Sequence, residues 1–272
     1  MRERKRKVER TEDGNLPRTR WQLLKDTLRW RFWSLAVISL MAIVFYVPSF
    51  AWMSFASMSG LLEADNFYSI LLTHAVDALL LGVFGLGQAG LFYFLKRLAW
   101  GEGASIPSDF FEGIKKNWKA FFLLFFVMGL LYAVLELNLA SIANSGWDSV
   151  AIGAVSGVSY AVFFLFVAAI LITLVESVIY SSRLFSLFVN AWRFLIGAFL
   201  TNVPVFLAYL LPLILYESIP SYIAQWVAIL FEGVFYLGFS GFFLTIYCHS
   251  LFDKTINKRQ FPEIVRKGLR KE

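Results

Sequence analysis

The chain has 272 residues, of which 58% are hydrophobic and 16% are charged, and it carries a formal net charge of +6 at pH 7. Soluble domains average about 45–50% apolar and about 25% charged residues, so the composition excludes a water-soluble globular domain and a disordered chain. Because the sequence has one cysteine, Cys248, it also excludes a disulfide scaffold. The fold class predicted from these values is an all-α polytopic membrane protein.

Six stretches are long and apolar enough to cross a bilayer core, which needs about 20 residues in a helix. The predicted spans are 34–58, 69–95, 120–137, 150–178, 195–215 and 222–250. They form a transmembrane domain of three hairpins over residues 34–250. A basic segment (1–33) precedes this domain and a basic tail (251–272) follows it.

The charged residues alternate between the connections. All 25 Lys and Arg residues lie in the N-terminal segment, after the second and fourth spans, or in the tail. The other three connections carry only acidic charges, at Glu63, Asp65, Asp148 and Glu217. Because basic segments stay in the cytoplasm during insertion, both termini are predicted to be cytoplasmic. The basic charge is expected to face lipid headgroups, and nucleic acid is not expected as a partner.

Each predicted hairpin begins with a Trp followed by a base, at residues 30–31, 118–119 and 192–193. The preceding segments 23–30, 110–118 and 184–192 mix apolar and polar residues at roughly helical spacing, which predicts short interfacial helices in the headgroup layer. A general preference of span ends for Trp and Lys is the alternative. That preference does not explain the apolar residue seven positions before each Trp.

The second and sixth spans share the pattern V-F-x-L-G-x-small-G-x-F at residues 83–92 and 234–243. Both spans run inward, so the pattern indicates parallel repeats. Because small residues let helices approach closely, four glycines are predicted helix-contact positions. A role lining a substrate path is the alternative. These glycines are Gly87, Gly90, Gly238 and Gly241.

Three ionisable residues are candidates for an intramembrane polar site, since such groups are costly in lipid. His74 and Asp77 share one face of the second span, and Glu232 lies near the middle of the sixth. Proton or cation coupling in a transporter and interhelical hydrogen bonds both stay open as interpretations. Glu136 and Glu176 lie near predicted span ends, where contact with headgroups or water is expected.

The sequence has no signature of catalysis. It has neither a P-loop nor a G-x-S-x-G motif, and its two histidines lie in different spans. A metal site built from Cys and His ligands is therefore not expected. A protein that is not an enzyme and has no cofactor is expected.

The connection after the second span contains the phrase S-D-F-F-x-x-x-K-x-N-W-K. Ser108 is expected to cap a helix, and the side chains of Phe110, Phe111 and Ile114 share a face that can enter the bilayer surface. A docking surface for a cytoplasmic protein partner is the alternative. The residues of the phrase are Ser108, Asp109, Phe110, Phe111, Lys115, Asn117, Trp118 and Lys119.

Over residues 87–119 and the closing phrase F-P-E-I-V-R-K-G-L (261–269), the chain resembles the YesL-like family of bacterial integral membrane proteins. The resemblance implies a multi-pass protein of the bacterial cell (inner) membrane, in a family associated with carbohydrate uptake. The expected function is a transport-associated membrane component, with no substrate named. The alternative is a non-catalytic scaffold or regulatory subunit of another complex.

Overall fold

The computed structural model describes residues 16–62, 67–217 and 222–270, and it leaves out the side chains of residues 213–217, 222, 223 and 226. Glu63 and Asp65 of the sequence prediction lie outside the described residues, as does the side chain of Glu217. Across the described ranges the chain is helical, without a β-strand. The helices are α1 (Arg20–Trp30), α2 (Phe32–Ile43), α3 (Val47–Met58), α4 (Phe67–Ala99), α5 (Ile106–Ala143), α6 (Ser149–Ile179), α7 (Leu184–Gly197), α8 (Phe199–Glu217), α9 (Tyr222–Phe231), α10 (Leu237–Lys254) and α11 (Ile256–Gln260).

Short turns of other helical types join some of these helices. A 3₁₀ turn at Val44–Tyr46 joins α2 to α3, a π-turn at Glu232–Tyr236 joins α9 to α10, and a 3₁₀ turn at Pro262–Ile264 follows α11. Pro48 at the start of α3 accounts for the first of these breaks, because proline lacks a backbone N–H.

The helices of the described residues confirm an all-α membrane protein. Five are long and apolar enough to cross a bilayer, and a sixth span results if α7 and α8, which bend by 107° at their junction, are counted together. The five are Phe32–Met58, Phe67–Ala99, Ile106–Ala143, Ser149–Ile179 and Val227–Lys254. Their ends lie mostly within a few residues of the predicted ends, except that the third helix is longer at both ends.

Two of the three predicted interfacial segments form separate helices. In α1, the Thr19 side chain accepts a hydrogen bond from the backbone N–H of Gln22 at 3.1 Å, and the helix ends at Arg31, where φ is −120°. The predicted segment 184–192 belongs to α7, which bends sharply into α8. The connection at residue 198 therefore separates a helix of interfacial length from α8, and only the two helices together meet the length and apolarity of a span.

The third interfacial prediction, at 110–118, is wrong. The segment belongs to the continuous helix α5, which begins after Ser105, so Ser108 is not the cap. Phe110 is buried in the protein core, at 1% exposure, and does not enter the bilayer surface. Gly113 packs tightly on α4, where a Cβ would lie 2.8 Å from the carbonyl oxygen of Ala89, so this part of α5 lies against the bundle.

The predicted basic connections meet at one end of the bundle. The backbone N–H of Arg270 donates to the carbonyl of Pro17 at 3.0 Å, so the described chain ends lie side by side. Arg20 donates to the carbonyl of Ala99, and Lys96 donates to the carbonyl of Val178. We call this region, residues 16–31, 96–119, 179–194 and 253–270, the basic end.

Candidate functional site

The far half of the bundle contains a buried carboxyl group. The Asp77 carboxylate on α4 accepts a hydrogen bond of 2.6 Å from the Ser49 hydroxyl on α3, and both residues are buried. Next to this pair, the indole N–H of Trp52 on α3 donates to the carbonyl of Thr73 on α4 at 2.9 Å. Asp77 lies 19 residues before Lys96, or about 28 Å along the helix axis from the basic end.

His74 extends this group of polar residues to α5. Its ring meets the ring of Tyr132 edge-to-face, with 5.5 Å between centroids, and Glu136 interacts with it electrostatically. The imidazole is buried, and its Nδ1 has no hydrogen-bond partner among the described residues. We call this group the α3–α5 polar cluster; its members are Ser49, Trp52, Thr73, His74, Asp77, Tyr132 and Glu136.

The third predicted polar residue, Glu232, lies elsewhere. It is the first residue of the π-turn, and the adjacent Gly233 packs against Ile43 of α2. In the part of the chain that the structure describes, no hydrogen bond or ion pair joins Glu232 to His74 or Asp77. The structure therefore brings together two of the three predicted residues and leaves the third apart.

The two glycines predicted on α4 lie at helix contacts. A Cβ at Gly87 would approach the carbonyl oxygen of Ala42 on α2 at 2.7 Å, and one at Gly90 would lie 2.5 Å from the Phe110 ring on α5. Neither position has room for a methyl group without movement of a neighbour. Both glycines thus set the distance between α4 and a packed helix.

The matching glycines on α10 have similar surroundings. The backbone N–H of Gly238 donates to the Ser39 hydroxyl on α2 at 2.6 Å. A Cβ at Gly241 would lie 3.0 Å from Leu95 on α4. The two copies of the glycine pattern therefore both lie at contacts between α2, α4, α5 and α10.

The segment with the S-D-F-F-x-x-x-K-x-N-W-K phrase, residues 108–119, has a buried part and an exposed part. The Asp109 carboxylate is buried and accepts hydrogen bonds from the Arg97 guanidinium and, at 2.7 Å, from the backbone N–H of Ser105. Asn117 donates to the carbonyl of Gly113 at 3.1 Å, inside the helix. The exposed members are Ser108, Phe111, Lys115, Trp118 and Lys119.

At the basic end, Arg20 joins three parts of the chain. Its guanidinium forms an ion pair with Asp253 at 2.9 Å and donates to the carbonyls of Lys267 at 2.9 Å and Ala99 at 3.2 Å. The side chains of Arg20 and Asp253 are 10% and 12% exposed. Arg20 therefore holds α1, the end of α4 and the tail together.

A hydrogen-bonded chain continues from this ion pair into the core. The Asn257 amide donates to Asp253 at 2.8 Å, and the Tyr180 hydroxyl donates to Asn257 at 2.6 Å. Burial raises the pKa of the Tyr180 phenol, so the hydroxyl keeps its proton at physiological pH. The end of α6 is thereby linked to α10 and α11.

A second link joins the tail to the connection between α4 and α5. Lys267 pairs with Glu102 at 3.0 Å and lies 3.7 Å from the ring centroid of Trp100. Glu102 also pairs with Arg97 at 3.4 Å. Such partly exposed pairs add about 0–1 kcal/mol each, whereas removal of one partner of the buried Arg20 pair would leave a buried charge unpaired.

The predicted contact of Glu176 with headgroups or water is wrong. Its side chain is completely buried, and neither carboxyl oxygen has a hydrogen-bond partner among the described residues. The local sequence gives no clear signal for this burial: residues 167–175 are almost entirely apolar, which is as typical of a lipid-facing span as of a helix surrounded by protein.

The structure also shows a buried histidine, His249, that the sequence prediction left without a role. Its ring is 2% exposed and meets the ring of Trp100 with 6.2 Å between centroids, and its Nε2 has no partner among the described residues. Within the described ranges, no group of three or more His, Cys, Asp or Glu side chains could hold a metal ion.

Comparison with protein-family models, curated proteins and solved structures finds no match to this chain. Its function is therefore inferred from its own side chains and their arrangement.

Proposed function

We propose that this protein is a transport-associated component of the bacterial cell membrane, with both termini in the cytoplasm, which serves carbohydrate uptake through the α3–α5 polar cluster. The observation that carries the proposal is a carboxyl group and an imidazole, Asp77 and His74, buried at membrane depth between three helices. Ionisable groups at this depth are costly and mark substrate or proton paths by default.

The chemistry of the cluster suits a sugar. Each sugar hydroxyl both donates and accepts a hydrogen bond, and a carboxyl group and an imidazole offer both functions. The rings of Trp52 and Tyr132 add apolar surface beside these groups. Small-molecule sites combine mostly apolar and aromatic walls with a few polar groups in this way. His74 and Asp77 are also groups that can exchange a proton during transport.

The orientation follows from the charges. All the basic connections meet at one end of the bundle, next to the described chain ends. Because basic segments stay on the cytoplasmic side, we infer that the basic end faces the cytoplasm and the α3–α5 polar cluster lies toward the outside.

A specific observation favours a second candidate, a non-catalytic scaffold or regulatory subunit. The hydrogen bond between Ser49 and Asp77 is short and direct, as in polar contacts that hold membrane helices together. The exposed side chains of Lys115, Trp118 and Lys119 could then contact a protein partner in the cytoplasm.

An uptake assay separates the two candidates. In a bacterial strain lacking this protein, uptake of labelled sugars is measured after complementation with the wild type, Asp77→Asn or His74→Gln. The transport proposal expects at least a tenfold loss of uptake in both variants at equal membrane abundance. Ser159→Ala is the matched control, since the Ser159 hydroxyl accepts an exposed interhelical hydrogen bond of 2.6 Å from Asn138, and it should leave uptake unchanged.

The opposite result would reject the transport proposal. If deletion of the protein leaves the uptake of every tested sugar unchanged, the scaffold candidate remains. Recovery of this chain with an unrelated membrane complex, lost in Lys115→Ala/Lys119→Ala, would then support it.

A further inference from the structure

A cleft opens at the basic end between α10, α11 and the tail. It has a volume of about 240 Å³, and its lining includes Arg20, Lys254, Lys258 and Arg266. Lys254 is the last residue of α10, Lys258 lies four residues later in α11, and both are exposed. The cleft lies at the opposite end of the bundle from the α3–α5 polar cluster, so it is separate from the proposed transport function.

The charge of the cleft is unbalanced. Asp253 is the one carboxylate among its described lining residues, and that carboxylate already binds Arg20 and the Asn257 amide. Lys254 and Lys258 have no ion-pair partner in the described part of the chain. Two lysines without an acidic partner among the described residues therefore lie beside a neutralised ion pair, which leaves an excess of positive charge at the cleft.

Arg20 adds a second observation. Its side chain is nine-tenths buried, and its Nε is a buried donor without a hydrogen-bond partner among the described residues. Buried donors normally have a partner, and Arg20 is one of the residues that line the cleft, so an unsatisfied donor lies next to it. Arginine and lysine side chains are the groups that proteins use most often to bind phosphate oxygens.

The volume and the apolar lining of the cleft limit the kinds of ligand that it can bind. At about 30 Å³ per water molecule, its volume holds roughly eight waters, which is room for one phosphate group and a short polar stem. Val265 and Leu269 of the tail provide apolar lining beside the bases. An anion that carries an apolar part fits this combination better than a bare inorganic ion.

We propose that this cleft is a binding site for a phosphate monoester or diester, as found in the headgroup of an anionic phospholipid or in a soluble organic phosphate. Bound phosphate would bridge α10 and α11 to the tail, which already contacts the segment before α1 through the backbone bond between Arg270 and Pro17. Phosphate binding is therefore expected to stabilise the arrangement of helices and tail at the basic end.

The test uses the purified full chain in neutral detergent. Its thermal unfolding midpoint, followed by tryptophan fluorescence, is measured while phosphatidylglycerol, glycerol phosphate or a diacylglycerol with the same acyl chains is added. Stabilisation by phosphatidylglycerol alone identifies the lipid headgroup as the source, and stabilisation by glycerol phosphate as well identifies a soluble phosphate. Stabilisation by diacylglycerol equal to that by phosphatidylglycerol would overturn the proposal, since diacylglycerol has no phosphate.

A pair of charge-matched variants distinguishes the cleft from general attraction to anions. Lys254→Ala/Lys258→Ala should raise the half-saturating ligand concentration about 25-fold, or about fivefold for each base. Lys25→Ala/Arg29→Ala removes two exposed bases with the same spacing on α1, outside the cleft, and should change that concentration less than threefold. Equal losses in the two variants, or no stabilisation of the wild type by either phosphate compound, would refute the site.

Discussion

The ion pair between Arg20 and Asp253 should dominate the stability of the basic end. Arg20→Ala removes the partner of a carboxylate that is 12% exposed and leaves the carbonyls of Ala99 and Lys267 without its guanidinium. Removing one member of a buried pair costs about 3–5 kcal/mol, because the other charge stays buried. We expect Arg20→Ala to lower the free energy of unfolding by about that amount.

The assay is reversible unfolding of the purified protein in mixed micelles, with a double-mutant cycle over Arg20 and Asp253. Arg20→Lys keeps the charge but loses the planar fork, so it should recover only part of the loss. Arg183→Ala is the control: its side chain is exposed, and it should change the free energy of unfolding by less than about 0.5 kcal/mol. A coupling energy below about 0.5 kcal/mol in the cycle would refute the reasoning.

Four further substitutions test the packing and the buried hydrogen bonds by the same unfolding assay. Gly113→Ala adds a methyl group that would lie 2.6–3.0 Å from atoms of α4, and it should cost about 1–3 kcal/mol, whereas Gly153→Ala adds one in open space and should stabilise the helix by about 0.5–1 kcal/mol. Tyr180→Phe removes a buried hydroxyl donor and should cost about 1–3 kcal/mol. Ser49→Ala removes the donor to the Asp77 carboxyl and should also cost about 1–3 kcal/mol.

Each of these predictions would be contradicted by a specific result of the same assay. If Gly113→Ala and Gly153→Ala have the same effect, α4 and α5 do not approach as closely as the structure shows. If Ser49→Ala costs no more than Ser159→Ala, whose hydrogen bond is exposed, the Asp77 carboxyl is not buried. A Tyr180→Phe protein as stable as the wild type would mean that the link between α6 and α11 contributes nothing.

The fold class could be predicted from the sequence because it depends on segment length and apolar content. Both are local properties, and a bilayer requires them of every span. A break close to the junction of α7 and α8 was also predictable, since an interfacial segment of mixed polarity precedes the predicted fifth span. The continuity of α5 was not, because residues 110–118 have the same mixed local pattern as the two segments that form separate helices. The contact of Gly113 with α4 involves a second helix and is not visible in one helix alone.

The candidate site was predicted only in part for the same reason. His74 and Asp77 are three residues apart, which places them on one face of a helix, and this spacing can be read from the sequence. The donors and neighbours that complete the cluster, Ser49 and Tyr132, come from other helices, and nothing in their local sequence identifies them. Glu176 was assigned to the surface because it lies near a span end, although its burial is set by the helices packed around it.

The six-span arrangement with a cytoplasmic basic end is the central claim, and cysteine accessibility in intact cells tests it most directly. Replacing Cys248 by Ala gives a background without cysteine, into which Asn144→Cys or Gly103→Cys is introduced. Both positions are exposed, one between α5 and α6 and the other between α4 and α5. A membrane-impermeant maleimide should label the Asn144→Cys protein in intact cells and the Gly103→Cys protein only after permeabilisation. The reverse pattern, or labelling of both in intact cells, would contradict the account.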